Sequence, residues 1–427
     1  MGKNNLRYKW YVLTVLTLVH VFNLMDRQII VILQEHIKDE LGISDTKLGL
    51  LSGFAFAVIY ITLSIPIARW ADLGNRKNII ALSLTVWSGM TALSGKAQNF
   101  LQLLLARIGV GIGEAGGTPP SYSMISDYFP PEKRATALSV FSAGAYIGIL
   151  LGFISGGIIA DLYGWRIAFY ALGIPGLIIS ILLYFTVKEP IKGQLDSRKR
   201  IKSDLSFVEV VKFLFGIKTF LLLAFAIGFQ AFTTYSMGNF LPSFFRRVHS
   251  LEIETVGVVL GLAFGIGGGI GTLSGGYLAD RLRKKDLRWY IWVPLLAGIL
   301  YIIPFFTLLL TGNVTLSLIM TVFGSVLSAF SYGPTIAVTH SLVSAKMRTL
   351  ASAILLFIIN IIGLGFGPLI TGVISDLLNP KFGNLSLRWA LCFNIVPIMI
   401  SLMLYYLSSR NYIKDLEQHK VCRKNKQ

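Results

Sequence analysis

The chain has 427 residues, of which 54% are hydrophobic and only 14% are charged, and its mean hydropathy is +0.67. Soluble domains carry roughly 25% charged residues, so this composition excludes an ordinary water-soluble globular protein and is typical of a polytopic membrane protein. A net charge of +18 could also suggest a nucleic-acid partner, and the distribution of that charge decides between the two interpretations.

Twelve apolar segments, each long enough to cross a bilayer as a helix, follow one another along the chain. They lie at approximately 9–33, 48–71, 78–97, 100–126, 135–162, 165–187, 219–245, 254–279, 290–311, 314–340, 349–375 and 388–409. The N-terminus, the even-numbered loops and the C-terminal tail hold 29 of the 39 Lys and Arg residues, whereas the odd-numbered loops hold 8. Because positive charge collects on the cytoplasmic side, we expect both termini inside, with the chain in a bacterial inner membrane. The basic excess is a topology signal and not a nucleic-acid interface.

The first segment carries a polar stripe. His20, Asn23 and Arg27 recur at helical spacing, and Asp26 follows Asn23 by three residues. An ionised side chain in the hydrocarbon region costs at least ~2.5–3.5 kcal/mol, so membrane helices keep such residues mainly for function or for pairing.

Arg107 and Glu114 share one face of the fourth segment with Gly111. A buried carboxylate can carry a proton, and an arginine can hold a phosphate or carboxylate with two hydrogen bonds. Two acids and two arginines facing one cavity could therefore exchange a proton and an anion. A structural alternative remains open, in which Arg107 only pins its helix to an acid of the first segment, or Asp26 forms a static ion pair with Arg27 or Arg107.

Polar residues of the second half are weaker candidates, because each could equally form an interhelical hydrogen bond. Those that could line a binding wall are Gln230, Tyr235, Asn239, Tyr332, Thr335 and Asn360. A glycine run at Gly144–Gly157 predicts close packing of the fifth segment against the eighth.

The two halves repeat each other. Ile67–Lys77 and Gly275–Lys285 are 208 residues apart, and each runs from an apolar segment into an Asp followed by basic residues. Pro131–Ala137 recurs as Ser344–Ser352, which pairs an arginine in one half with an arginine in the other. The Asp of each loop could pair with the next helix or with one of these arginines and so hold the cytoplasmic face shut; the alternative is helix capping plus topology charge. The predicted cytoplasmic gate comprises Asp72, Arg76, Lys77, Arg134, Asp280, Arg281 and Arg348.

A polar stretch at 188–206 separates the halves. We therefore predict an N-terminal six-helix bundle at 1–187, a cytoplasmic linker at 188–206, a C-terminal six-helix bundle at 207–410 and a basic cytoplasmic tail at 411–427. Duplicated helical halves around a central cavity are typical of secondary transporters.

Other functional classes lack their motifs. The two cysteines, Cys392 and Cys422, do not have metal-ligand spacing, and the five histidines are scattered. No Gly-Lys-Ser/Thr follows a glycine run, so ATP is not expected to drive the protein. We expect no enzyme activity, no metal and no cofactor, and we regard an intramembrane enzyme or a channel as the different-class alternative.

Across nearly its whole length the chain resembles the major facilitator superfamily, and within it the Spinster-like branch. The motifs that carry this resemblance are M-D-R-Q-I at Met25–Ile29, L-G-L-L-S-G at Leu48–Gly53, D-L-G-N-R-K at Asp72–Lys77, R-I-G-V-G-I-G-E-A-G-G-T-P-P at Arg107–Pro120 and I-S-D-Y-F-P-P-E-K-R-A-T-A-L-S at Ile125–Ser139. The first loop motif departs from the superfamily pattern at Ala68 and Leu73.

The resemblance implies an all-α membrane protein of twelve helices in two pseudo-symmetric six-helix bundles. It also implies that Asp26, Arg27, Arg107 and Glu114 form the substrate and proton network. The expected function is proton-coupled transport of a lysophospholipid- or sphingoid-like lipid by a monomer in the lipid bilayer. A drug or organic-anion exporter or importer is the alternative.

Overall fold

The computed structural model describes residues 3–193, 207–344 and 347–424, and every regular element in these ranges is helical. Most of the predicted linker at 188–206, the side chain of Asp72 and the end of the tail lie outside the described residues. The α-helices are α1 (Lys3–Ile32), α2 (Gln34–Leu41), α3 (Asp45–Gly49), α4 (Ala55–Leu73), α5 (Arg76–Ser94), α6 (Phe100–Glu114), α7 (Thr118–Tyr128), α8 (Pro131–Tyr163), α9 (Trp165–Thr186), α10 (Phe207–Phe215), α11 (Lys218–His249), α12 (Ile253–Leu260), α13 (Gly268–Leu282), α14 (Trp289–Leu310), α15 (Val314–Ser328), α16 (Tyr332–Leu342), α17 (Arg348–Ile359), α18 (Gly367–Phe382), α19 (Ser386–Cys392) and α20 (Ile395–Lys424).

Three π-helical stretches continue these helices, at Leu50–Phe54, Gly261–Gly267 and Asn360–Phe366, and short 3₁₀ turns lie at Ala329–Ser331 and Gly383–Leu385. A π-helical turn inserts an extra residue and so rotates the side chains that follow it, which is why such turns are frequent at functional sites.

Within the described ranges, nine helical stretches are long and apolar enough to cross a membrane. The last of them, Arg348–Gln418, contains two of the twelve predicted segments. The predicted segments 78–97 and 100–126 are helical as well, as α5 and as α6 with α7, but they are not among the nine. The helical membrane architecture is confirmed, whereas the count of twelve stays a prediction.

The chain divides into two compact units. The first unit is Met1–Lys199 with Leu241–Gly265, and the second is Arg200–Phe240 with Ile266–Gln427. The first unit therefore includes the end of α11, all of α12 and most of the following π-helical stretch.

In the first unit, the glycines of α8 face α1. An added Cβ at Gly144 would lie 3.0 Å from the Cγ2 of Thr17, and one at Gly152 would lie 3.0 Å from the Cα of Met25. The neighbouring Gly157 faces α12, where its added Cβ would lie 2.8 Å from the carbonyl oxygen of Ile253. The glycine run was predicted to pack against the eighth segment, and Gly157 does so through α12. The glycines at four-residue spacing instead pack against the first segment.

In the second unit, glycines likewise allow helices to pack closely. An added Cβ at Gly363 would lie 2.7 Å from the Cβ of Ala231, and one at Gly367 would lie 2.7 Å from the carbonyl oxygen of Phe232 on α11. Small residues let helix backbones approach closely where no hydrophobic effect drives association.

We expect Gly148→Ala to lower the thermal unfolding midpoint of the purified protein. A methyl group there would meet the carbonyl oxygen of Val21 and lie 2.8 Å from the Cβ of Leu24, and overpacking of this kind costs about 1–3 kcal/mol. Gly276→Ala is the matched control, because a Cβ at Gly276 meets nothing within 4 Å and alanine favours the helix. An equal or larger loss in the control would contradict this packing.

Candidate functional site

A cluster of four ionisable side chains lies inside the first unit. Asp26 and Arg107 are each 1% exposed and Glu114 is fully buried, while the side chain of Arg27 is 20% exposed. Asp26 and Arg27 lie on α1, and Arg107 and Glu114 lie two turns apart on α6. The structure thus brings together in one cluster the four ionisable residues that were selected from their spacing in the sequence.

The acids and arginines of this cluster pair unequally. The Nε of Arg27 donates to the Oε2 of Glu114 over 2.6 Å. Arg107 donates only a long hydrogen bond, 3.5 Å from its Nη1 to the backbone oxygen of Asp26, and its buried Nε has no hydrogen-bond partner. Among the described residues, neither Arg107 nor Asp26 forms an ion pair within 4.0 Å. The close ion pair of the site is Arg27–Glu114.

The carboxyl group of Asp26 receives a hydrogen bond from another helix. The hydroxyl of Thr91 on α5 donates to its Oδ2 over 3.2 Å, and both residues are buried. The other oxygen, Oδ1, is buried without a hydrogen-bond partner.

Aromatic rings cover the faces of the two guanidinium groups. The Cζ of Arg27 lies 4.9 Å from the ring centroid of Phe56 and 4.8 Å from that of Tyr60, and Arg107 lies 5.9 Å from Phe56. These rings belong to α4 and stack on each other with centroids 5.6 Å apart. The π-helical stretch Leu50–Phe54 ends one residue before α4 and so sets the direction in which both rings point.

Glycines let α6 lie against its neighbours. A Cβ at Gly113 would lie 2.5 Å from the backbone nitrogen of Trp87 on α5, and one at Gly111 would lie 3.4 Å from the backbone oxygen of Phe56. A larger residue at Gly113 would push α6 away from the helix that supplies the hydroxyl to Asp26.

The two other predicted site residues of α1 differ in their relation to this cluster. Asn23 is buried beside Glu114 and so lies next to the cluster. His20, two turns before Arg27, instead stacks on Phe141 of α8 with ring centroids 4.5 Å apart.

The second-half candidates belong to the second unit, where they form uncharged contacts. The Nε2 of Gln230 donates to the backbone oxygen of Ser328 over 2.9 Å, and its Oε1 accepts from the hydroxyl of Tyr405 over 3.0 Å. Gln230 also lines a small cavity together with Thr233, Thr234, Pro294, Gly298, Tyr301, Ser328, Ile398, Ser401, Leu402 and Tyr405. Asn239 donates to the backbone oxygen of Tyr235, four residues earlier on its own helix.

The remaining candidates of the second unit take no part in lining that cavity, as far as the chain is described. Thr335 is fully buried on α16, Tyr332 begins that helix, and Asn360 begins a π-helical stretch.

Two predicted gate residues of the first half pair with other helix ends of their own unit. Arg76 is buried; its Nη1 donates to Asp127 and its Nε donates to Glu189 over 2.7 Å. The backbone nitrogen of Lys77 donates to Glu189 over 2.8 Å, and its Nζ donates to the backbone oxygen of Tyr184. This Arg76 cluster ties the start of α5 to the ends of α7 and α9. Sequence reasoning missed both acids, although Asp127 lies within a motif that carried the resemblance.

The other gate residues are more exposed. Asp280 accepts a hydrogen bond from the hydroxyl of Tyr290 over 2.6 Å and lies 3.9 Å from the Nε of Arg283, the residue that follows the end of α13. Arg281 and Arg348 are exposed, and Arg134 is partly buried.

A further ionic cluster was not predicted. We call it the Arg247 cluster, and it consists of Glu35, Lys38, Asp45 and Arg247. The Nη2 of Arg247 donates to Glu35 over 2.6 Å and to Asp45 over 2.7 Å, and the Nζ of Lys38 donates to Asp45 over 2.6 Å. Gly42, with a φ of 60°, ends α2 in the left-handed conformation and turns the chain so that α2 and α3 present both acids to one guanidinium.

Two basic side chains meet beside this cluster. The Nη1 of Arg246 lies 3.1 Å from the Nε2 of His36. Burial, and then the charge of Arg246, lower the pKa of His36, so its ring is neutral at pH 7 and accepts this hydrogen bond.

The buried charges inside apolar helices, the paired glycine seams and the repeated Asp loops define the class of this protein as a helical secondary transporter. The profile of the Major Facilitator Superfamily matches residues 16–307. The chain belongs to this superfamily, and within it to the Spinster-like branch. It is thus a transporter and not an enzyme.

Three proteins illustrate the likeness. An MFS-type efflux pump of Mycolicibacterium smegmatis is 30% identical over 413 residues, 96% of this chain and 95% of the relative. A hexuronate transporter of Bacillus subtilis is 29% identical over 379 residues, which are 86% of this chain and 87% of the relative. The crystal structure of a bacterial homologue of the human lysosomal transporter Spinster, inward-facing and unoccupied, superposes with a TM-score of 0.89 at 29% identity, covering 97% of this chain and 99% of that one.

We expect the stability of the folded protein to fall as the pH drops below about 6.5, the ordinary pKa of histidine. The folded state holds His36 neutral while the unfolded state takes up a proton there, so acid favours unfolding between 6.5 and the lowered folded pKa. His36→Gln keeps an acceptor for Arg246 but does not titrate, and should unfold with a weaker pH dependence in this range. Identical slopes of unfolding midpoint against pH for both proteins would contradict this assignment.

Proposed function

We propose that the protein is a proton-coupled secondary transporter that moves an anionic or amphiphilic small molecule by alternating access. A lysophospholipid- or sphingoid-like lipid is the favoured substrate. The observation that carries this proposal is Arg107, a buried guanidinium with no carboxylate within 4.0 Å among the described residues, next to a buried Asp26 with one unpartnered oxygen.

The charges of the cluster explain how a proton and an anion would be coupled. With both acids ionised, Asp26, Arg27, Arg107 and Glu114 sum to zero charge. A proton on Asp26 leaves one positive charge in excess, and this charge belongs to Arg107 because Glu114 neutralises Arg27 at 2.6 Å. Protonation of Asp26 therefore favours binding of an anion at Arg107, and release of the proton weakens it.

The surroundings of the arginines support an amphiphile. Phe56 and Tyr60 give an apolar wall directly beside the guanidinium of Arg27, so one molecule could place a charged head on an arginine and an apolar part against the rings. Membership of the Spinster-like branch, the resemblance from which a lipid substrate was expected, is the second support for a lipid.

A small organic anion is the second candidate. A guanidinium binds a carboxylate as readily as a phosphate, and the Bacillus subtilis relative is named as a hexuronate transporter. The name of the Mycolicibacterium smegmatis relative equally supports export of a drug-like compound. Mass spectrometry of the molecule that copurifies from native membranes distinguishes these substrates directly.

The remaining proposals concern placement. We place the chain as a monomer in a bacterial inner membrane with both termini in the cytoplasm, on the distribution of Lys and Arg. The Arg76 cluster and Asp280 would then lie at the cytoplasmic ends of their units. The proposed gate remains the set predicted from the sequence: Asp72, Arg76, Lys77, Arg134, Asp280, Arg281 and Arg348.

Asp26→Asn should abolish uptake driven by an imposed pH gradient, because the amide cannot carry a proton, while probe binding stays measurable. The measurement is uptake of labelled lysophosphatidylglycerol, and in parallel of glucuronate, into proteoliposomes containing the full chain. Glu417→Gln, at an exposed acid outside both the site and the proposed gate, is the control for loss of one negative charge. Normal gradient-driven uptake by Asp26→Asn would remove the proton role from this site.

Arg107→Gln should weaken binding of the transported probe at least tenfold and yet raise the thermal unfolding midpoint. The substitution removes a buried charge without a close carboxylate partner, and such sites commonly trade stability for function. Equilibrium binding and thermal unfolding on the same preparation test both halves. A variant that binds normally would place the substrate elsewhere, and one that unfolds more easily would make Arg107 a structural residue.

A further inference from the structure

Thr91 uses its hydroxyl in an unusual way for its place in a helix. Serine and threonine inside helices often bond to the carbonyl four residues earlier. On α5, Thr85 bonds in this way to Ala81 over 2.9 Å, besides contacting the hydroxyl of Ser180, and Ser94 bonds in this way to Met90 over 3.0 Å. Thr91 has no exposed surface, and its hydroxyl donates across to the Oδ2 of Asp26 on α1.

Within the described part of the chain, the hydroxyl of Thr91 is the one side-chain donor that reaches the carboxyl group of Asp26. Its Oδ1 is buried without a partner, and Arg107 reaches only the backbone oxygen of the same residue. The charged groups that face Asp26 are Arg107 and Glu114 from α6, with Arg27 following it on α1. Their charges act from a distance, whereas Thr91 acts by direct contact.

We propose that Thr91 is a positioning residue that holds the Asp26 carboxyl and sets the pH at which it takes up its proton. The inference rests on the proposed proton-coupled function and adds to it a residue of the third apolar segment. Thr91 does not carry the proton itself, because a hydroxyl does not titrate in this range.

The physical reason is the difference between charged and neutral acceptors. A hydrogen bond to an ionised carboxylate is stronger than one to a neutral carboxyl group, so the Thr91 hydroxyl favours the ionised form of Asp26. Valine has nearly the same shape and lacks the donor. Thr91→Val should therefore move the protonation midpoint upward by about half to one pH unit.

The experiment is an infrared pH titration of the full-length protein in lipid, with no substrate added. The carbonyl band of protonated Asp26 is isolated as the difference between the wild-type protein and Asp26→Asn. We expect Thr91→Val and Thr91→Ala to shift the midpoint upward and Thr91→Ser, which keeps the hydroxyl, to restore it. Thr85→Val is the matched control, since it makes the same change on the same helix where the hydroxyl bonds to Ala81 and to Ser180 of α9 and not to Asp26; its midpoint should equal that of the wild type.

Each result decides something different. A wild-type midpoint in both Thr91→Val and Thr91→Ala would overturn the role of Thr91 and leave the proposed function standing, since Asp26 still titrates. An upward shift in Thr85→Val of the same size would assign the effect to general loosening of α5 and also overturn the inference. A wild-type Asp26 band that does not titrate while the protein stays folded would overturn both the inference and the proton coupling on which it rests.

Discussion

The cost of an ion in the membrane interior governs this molecule. Each ionised side chain there needs a partner, a ligand or water, and α1 alone carries two such side chains next to each other. Adjacent residues on a helix point about 100° apart, so Asp26 and Arg27 cannot satisfy each other and must find partners on different helices. Arg27 finds Glu114 on α6 and Asp26 finds Thr91 on α5. The two partner helices are themselves neighbours, since α6 closely approaches α5 at Gly113.

Position within an apolar segment was sufficient to select the four charged residues that the structure brings into one cluster. Asp26, Arg27, Arg107 and Glu114 are conspicuous because their side chains are expensive in lipid. Which arginine pairs with Glu114 was not predictable, since spacing along α6 places Arg107 on the same face. The structure assigns the close pair to Arg27, 87 residues away in sequence.

Residues that are ordinary in membrane helices escaped prediction. Thr91 and Phe56 resemble many other Thr and Phe residues of the chain, and only their distances to charged atoms set them apart. Glu35, Asp45 and Arg247 lie near segment ends, where charges are expected for topology, so their burial gave no signal in the sequence. The helical architecture was predictable because hydropathy alone carries it, whereas the pairing of Arg247 depends on contacts across 202 and 212 residues.

The inclusion of Leu241–Gly265 in the first unit has a consequence for how the protein is made. During synthesis the first six apolar segments leave the ribosome long before Arg247 does, and until then Glu35 and Asp45 lack the guanidinium that each contacts at 2.6–2.7 Å. Of the two acids, Asp45 already has the ammonium group of Lys38, 2.6 Å away in the folded unit, so the Arg247 cluster is only partly formed until the guanidinium arrives. Completion of the first unit is therefore a late event in biogenesis, and translation of the eighth apolar segment, rather than of the sixth, marks the point at which that unit can become protease-resistant.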